Sequence, residues 1–379
     1  MGTKFWIILF FVAIIFFVFA GSSEGQKSQE KVKIEYEDWV RVIKNPKDPL
    51  YGEIKFELKE DLSIGRKHDG EYIFNGIRGV TADNQGNIYV TDIHNQRVQK
   101  FNRGGKFLMT IGKGQGPGKF IQPTKILINE TNGDIYIQDH EKIRIFDKQG
   151  KYITDVIPNK FPLDFIFDGS GVIYAKLSSR TESGEYFRDF CKVTSKGEIV
   201  KIYASFPYQS IVRDTLGEGV VTGYEYDLFI SNVDSQTFVY GFSEEYLLNV
   251  MDSQGNLIFK IKKDEPYHEF PPGERKRYSN PRIKLTFNTP SHVSFFYSLL
   301  VDSAKRIYVQ TNHTRNKLEV DREVDVFSQD GYYLYKTKLP HYTEMIKDGF
   351  LYVYVIDDVE LIKRYKIKNW DQIKAEISD

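Results

Sequence analysis

The sequence predicts an all-β fold: a β-propeller of six four-stranded blades, closed by an N-terminal strand that completes the last blade. Three observations lead there. From about Ile54 onward short apolar alternations are separated by Gly, Asp and Asn turns, the pattern of strands and hairpins. The pattern recurs at roughly 40 to 50 residues, the length of one propeller blade. The final copy lacks a fourth strand, which the start of the folded region can supply.

The clearest unit begins at Ile77, with strands over Ile77 to Ala82, Ile88 to Thr91, Val98 to Phe101 and Phe107 to Ile111. Gly86 and Gly104 or Gly105 stand where its tight turns need a positive φ. A second copy runs from Lys125 to Val156, with turns at Asn132-Gly133-Asp134 and Asp147-Lys148-Gln149-Gly150. Weaker copies follow at Phe165 to Gly197, Phe238 to Ile261 and Leu299 to Tyr335, the last two spaced widely enough to carry insertions. The final copy has Thr343 to Ile346, Phe350 to Ile356 and Leu361 to Ile367, and its missing strand is assigned to Ile54 to Leu62. Joining the two ends in one blade removes a free sheet edge. A seventh blade within Ser205 to Ser235 or Asp264 to Phe296, and an open sandwich, are the competing counts.

The organisation follows: residues 1–20 as a signal peptide or N-terminal anchor, 21–52 as a lead-in segment, 53–369 as the propeller and 370–379 as a tail. Phe5 to Ala20 is sixteen residues without a charge after Lys4, and small Ala20 closes it. An export signal fits, and an uncleaved membrane tether is the alternative, the stretch being slightly short for a span. Both place the remainder in the periplasm or outside the cell. Cys191 is the only cysteine, so no intrachain disulfide forms, and its strand context reads as a buried thiol. Lys plus Arg equals Asp plus Glu at 52 each, a balance that gives no ground for a nucleic-acid partner.

Gly79-Val80-Thr81-Ala82-Asp83-Asn84-Gln85-Gly86-Asn87-Ile88-Tyr89-Val90-Thr91-Asp92, continued by Asn95-Gln96-Arg97-Val98-Gln99-Lys100-Phe101, resembles an NHL repeat, as does the linking stretch Gly112 to Phe120. The resemblance is specific over the first two units and rests on strand order beyond Pro158. Lys142 departs from it, standing where the first unit has Arg97. It implies a propeller and a spread of roles: peptide, protein or glycan binders, scaffolds and a few enzymes.

Candidate chemistry is sparse. The Gly112 to Gly118 segment lacks the spacing and the Ser or Thr of a phosphate loop and reads as a crossing between blades. His94, His140 and His313 each follow the second strand of a unit, so they share one rim, with Asp92 and Asp139 beside the first two. His94, His140, Asp92, Asp139 and Arg97 form the candidate ligand-binding set. Imidazole with carboxylate suits a first-row metal, but these loops lie at intermediate radius, so no metal and no cofactor is assigned. Asp92, Asn95 and Arg97 are equally able to tie their own loop, and the aromatic excess near Tyr203 to Tyr208 and Tyr267 to Tyr278 reads as a sugar or peptide surface or as packing. The sequence therefore favours a non-catalytic binding propeller. A metal-dependent hydrolase or lyase at the mouth of the central channel is the alternative.

Overall fold

The turns between the first and second strands of blades 1, 3 and 5, numbered in chain order, share one construction. Asp83 accepts the backbone N–H of Gln85 (3.0 Å) and Asn87 (2.9 Å) through one oxygen and the Tyr89 hydroxyl (3.1 Å) through the other. Asp168 does the same with Ser170, Val172 and Tyr174, and Asp302 with Ala304, Arg306 and Tyr308. A short carboxylate that mimics turn backbone closes the hairpin, and the hydroxyl bond fixes an aromatic ring in the packing between blades.

The computed structural model describes residues 31–113, 116–208, 211–213, 219–221, 226–269, 292–311 and 321–377. Blade 1 comprises Ile77–Ala82, Ile88–Asp92, Arg97–Phe101 and Phe107–Ile111, and blade 2 comprises Pro123–Ile128, Ile135–Asp139, Lys142–Phe146 and Tyr152–Val156. Blade 3 has Phe161–Phe167, Ile173–Arg180, Tyr186–Val193 and Ile199–Tyr208; blade 4 has Leu228–Asn232, Thr237–Phe242, Leu247–Asp252 and Leu257–Lys263. Blade 5 has Phe296–Val301, Ile307–Thr311, Arg322–Phe327 and Tyr333–Leu339, and blade 6 has Thr343–Lys347, Phe350–Ile356 and Glu360–Ile367. The first strand of each lies innermost. Apolar clusters fill the spaces between neighbouring blades; Phe190 of blade 3, for example, packs with Tyr240 of blade 4.

Polar bridges join each blade to the next around the ring. Thr91 donates to the carbonyl of Thr124 (2.7 Å), Gln138 to that of Pro162 (2.9 Å) and Asn232 to that of Phe167 (2.7 Å). Lys305 pairs with Asp234 (2.7 Å), Asp348 N–H donates to Ser303 (2.8 Å), and Glu360 accepts the N–H of both Gly76 and Ile77 (2.8 Å each).

Closure occurs as expected: Leu58–Ile64 is the fourth strand of blade 6, with Lys59 opposite Lys366 and Ile64 opposite Ile362. Arg364 clamps the seam through both Asp61 oxygens (3.0 and 2.9 Å). The strand starts later than Ile54 because the Ile54 N–H is already used on the carbonyl of Lys336 in blade 5 (2.9 Å).

Blade 4 departs from the four-stranded expectation. The lead-in forms a hairpin, Lys33–Glu37 and Val40–Asn45, whose second strand runs parallel to Leu257–Lys263 and brings that sheet to six strands. Burial of Val42 and Ile43 drives this addition. Asn45 then reaches blade 5, donating to the Gly331 carbonyl (2.8 Å) and accepting the Tyr333 N–H (2.8 Å). The segment before the propeller is thus a belt across blades 4, 5 and 6.

Glycine is required at particular close approaches. A Cβ on Gly79 would stand 2.5 Å from the Thr124 carbonyl oxygen, where blades 1 and 2 touch. Gly112, at φ 76°, lies under the Phe120 ring, so the Gly112 to Phe120 crossing folds back on itself.

Candidate active site in the axial channel

Every innermost strand except that of blade 4 carries a β-bulge. The register slips between Ile77 and Gly79, Pro123 and Ile126, Pro162 and Asp164, Phe296 and Ser298, and Thr343 and Met345. A bulge leaves a residue outside the ladder and re-aims its side chain. The residues passed over are Arg78, Thr124 with Lys125, Leu163, Tyr297 and Glu344.

These positions turn toward the axis. Lys125 of blade 2 pairs with Asp164 of blade 3 at 2.5 Å. Glu344 of blade 6 feels the Lys125 ammonium although blade 1 stands between their blades, which requires both to face the channel. Tyr354, on the second strand of blade 6, lies within the fields of Glu344 and of Arg78. Four blades therefore deliver Arg78, Lys125, Asp164 and Glu344 to one space.

Glu344 retains solvent contact along the channel while protein crowds it from the sides. That burial pushes its carboxyl up to about 7, against the opposing pull of Lys125. Burial likewise raises the Tyr354 phenol, with the Glu344 charge adding to it. Tyr354 stacks at 4.4 Å on Tyr342, which stacks in turn on His341 at 3.7 Å. Tyr342 is held at φ 62°, a left-handed conformation that is uncommon for a bulky residue. At the opposite end of the innermost strands Lys347 spans blades 6, 1 and 2, donating to the Ala82 carbonyl (3.1 Å), to Asn84 (3.0 Å) and to Glu130.

The residues singled out from sequence lie elsewhere, on the rim formed by the loops after the second strands. Asp92 is fully buried; it accepts the Asn75 N–H (2.9 Å), the Asn95 amide (2.8 Å) and Arg97 Nε (2.9 Å). Asp139 is equally buried and accepts the N–H of Ile121 (2.8 Å) and Gln122 (2.5 Å) and Arg144 Nε (2.6 Å). Arg144 takes the role of Arg97 from two residues further along the strand, on the same face, which explains how Lys142 can depart from the repeat. His94 and His140 are exposed; His140 sits edge-on to Phe161, and His94 covers Gly76. His313 lies outside the described residues. His292 is buried among Tyr226, Tyr267 and Phe295, and His68 is exposed. Among the described residues no three His, Cys, Asp or Glu converge to hold a metal ion. Cys191 is buried, and burial pushes its thiol up to about 12.

Sequence reasoning missed Glu344, Arg78 and the Lys125–Asp164 pair. The available signal was a charged residue inside, or just ahead of, an apolar first strand in several units.

With this geometry in place, the chain falls in the class of six-bladed β-propellers. Residues 70–217, fewer than half of the chain, match the family described as "6-bladed beta-propeller". Among curated proteins, a Caenorhabditis elegans protein named "Probable peptidyl-alpha-hydroxyglycine alpha-amidating lyase" is 30% identical over 95 residues, covering 23% of this chain and 27% of its own. The chain spans only 10% to 27% of the length of the curated relatives it matches. Among solved structures, a Bacteroides fragilis protein described as exported has a TM-score of 0.54 at 10% identity, over 86% of this chain and 99% of that one. Virginiamycin B lyase of Staphylococcus aureus has a TM-score of 0.42 at 11% identity, over 82% and 99%. The expectation that favoured a non-catalytic propeller is corrected by the sequence match to the Caenorhabditis elegans protein, which is named as a lyase.

Proposed function

We propose that the protein is a propeller enzyme of the lyase or hydrolase kind, working by acid–base chemistry at the mouth of the axial channel. One observation carries the reading: Glu344 is bulged out of the innermost strand of blade 6 and is buried enough to exchange a proton near pH 7. A carboxyl of that acidity is populated in both forms at neutral pH, the condition for efficient general acid–base catalysis. Its carboxylate takes a proton from substrate carbon in an elimination, or from water in a hydrolysis, and returns it to the departing group. Lys125 and Arg78 supply positive charge where the transition state gains negative charge. The metal-assisted form of this reading has no ligand set among the described residues, so no step is routed through a metal. The uncharged Phe5 to Ala20 stretch supports a site of action outside the cytoplasm.

The test is a screen of the purified protein against ester, amide and β-elimination substrates, followed by a pH profile of any turnover. A limb near pH 7 that vanishes in E344Q while the protein stays folded is the expected result. Unchanged turnover in E344Q, or a Glu344 carboxyl titrating near the ordinary 4.5 by carbon NMR, overturns the reading.

A further inference from the structure

The cations near the axis differ in one respect. Lys125 is paired with Asp164, Lys347 with Glu130, and Lys176 and Arg188 share Asp227. Arg78 is not paired in this way. It is exposed, its one polar contact among the described residues is to the Ile77 carbonyl (3.3 Å), and no carboxylate there lies within ion-pair distance of it. The bulge that frees it from the ladder of blade 1 brings it into the neighbourhood of Tyr354, which Glu344 also approaches. A guanidinium left without a partner beside a channel presents parallel N–H donors that match the two oxygens of a carboxylate.

We propose that Arg78 is the anchor for a carboxylate group on the substrate, which makes the channel a site for small monoanionic carboxylates. This rests on the reading of the channel as the active site. The charge inventory selects a monoanion over a dianion. Lys125 and Asp164 pair with each other, leaving Arg78 as the one cation of the four channel residues without a carboxylate partner, and an ionised Glu344 adds a negative charge to the same channel. A carboxylate bound to Arg78 therefore favours the protonated form of Glu344, and carboxylate binding weakens as Glu344 ionises. In catalytic terms the bound carboxylate sets the substrate's orientation, and its charge keeps Glu344 from losing its proton too early.

The experiment is calorimetric titration of the full chain with acetate and, separately, with inorganic phosphate, at pH 6 and pH 8. Carbon NMR of Glu344 runs alongside. Acetate is expected to bind with roughly millimolar affinity and to bind about fivefold to tenfold more weakly at pH 8. R78A should lose at least about tenfold in acetate affinity, and R78K should recover part of it. E344Q should bind acetate with no pH dependence. Acetate binding that is equal in wild type and R78A, absent in wild type, or weaker than phosphate binding overturns the assignment. The two readings fail separately: a Glu344 that titrates near 7 with no acetate bound removes the carboxylate anchor alone. Acetate bound through Arg78 with Glu344 titrating at its ordinary value removes the acid–base reading alone.

Discussion

Asp92 and Asp139 on the rim and Glu344 in the channel are carboxylates of one fold, yet they are built for opposite ends. Each rim carboxylate is sealed from water and accepts three hydrogen bonds, one of them from an arginine. Such a group is held in place, and its work is to fasten the chain entering the innermost strand to the loop after the second strand. Glu344 is crowded without comparable donors, and its proton is held more tightly as a result. The number of donors around a carboxylate, more than its depth, separates a fastener from a proton carrier.

The comparison can be broken at either end. The largest effect is expected for D92A, which leaves the largely buried Arg97 without a carboxylate, its remaining partners being the carbonyls of Gly70 (3.1 Å) and Ile73 (2.5 Å): about 3 to 5 kcal/mol of stability lost in urea unfolding. D139A should cost less, about 2 to 3 kcal/mol, because Arg144 keeps its ion pair with both oxygens of Asp155 (3.2 Å each). Equal losses would mean that the arginine's other partners contribute nothing.

E344Q tests the opposite end and should act with the opposite sign. The folded protein holds the Glu344 proton up to about 7 while the unfolded chain releases it near 4.5. The folded state therefore binds more protons between those values, and its stability falls as pH rises through that window. Glutamine removes the ionisation, so E344Q should be more stable than wild type by about 3 kcal/mol at pH 8 and nearly equal to it at pH 4. A pH-independent difference in melting temperature would count against the proton-carrier assignment. The smallest effect is expected for H140A. Its ring is exposed against Phe161, and the substitution should shift stability by less than about 1 kcal/mol; a larger loss would show that the rim depends on more than its carboxylates.

Much of the architecture could be read before any coordinates. The strands Ile77–Ala82 and Phe107–Ile111 have the bounds assigned from alternation, and the missing fourth strand of the last unit pointed to the closing segment. The channel was harder to read for a definite reason. A bulge interrupts the alternation from which a strand is recognised, so the first strands of units two and three seemed to begin at Lys125 and Phe165. They begin at Pro123 and Phe161. The residues that line the axis sit at those interruptions. The long gap before Phe238 hid the innermost strand Leu228–Asn232 of blade 4, while Asp83 lay in a turn that could be read directly.

Local chemistry alone determined the turns, the strand periodicity, the repeat and the need to join the two ends, because each depends on residues close in the chain or on a count of strands. Only the folded ring decided that Arg78, Lys125, Asp164 and Glu344 meet, since they come from four blades. It likewise decided which carboxylate keeps its proton, because the acidity of a side chain depends on what surrounds it in space.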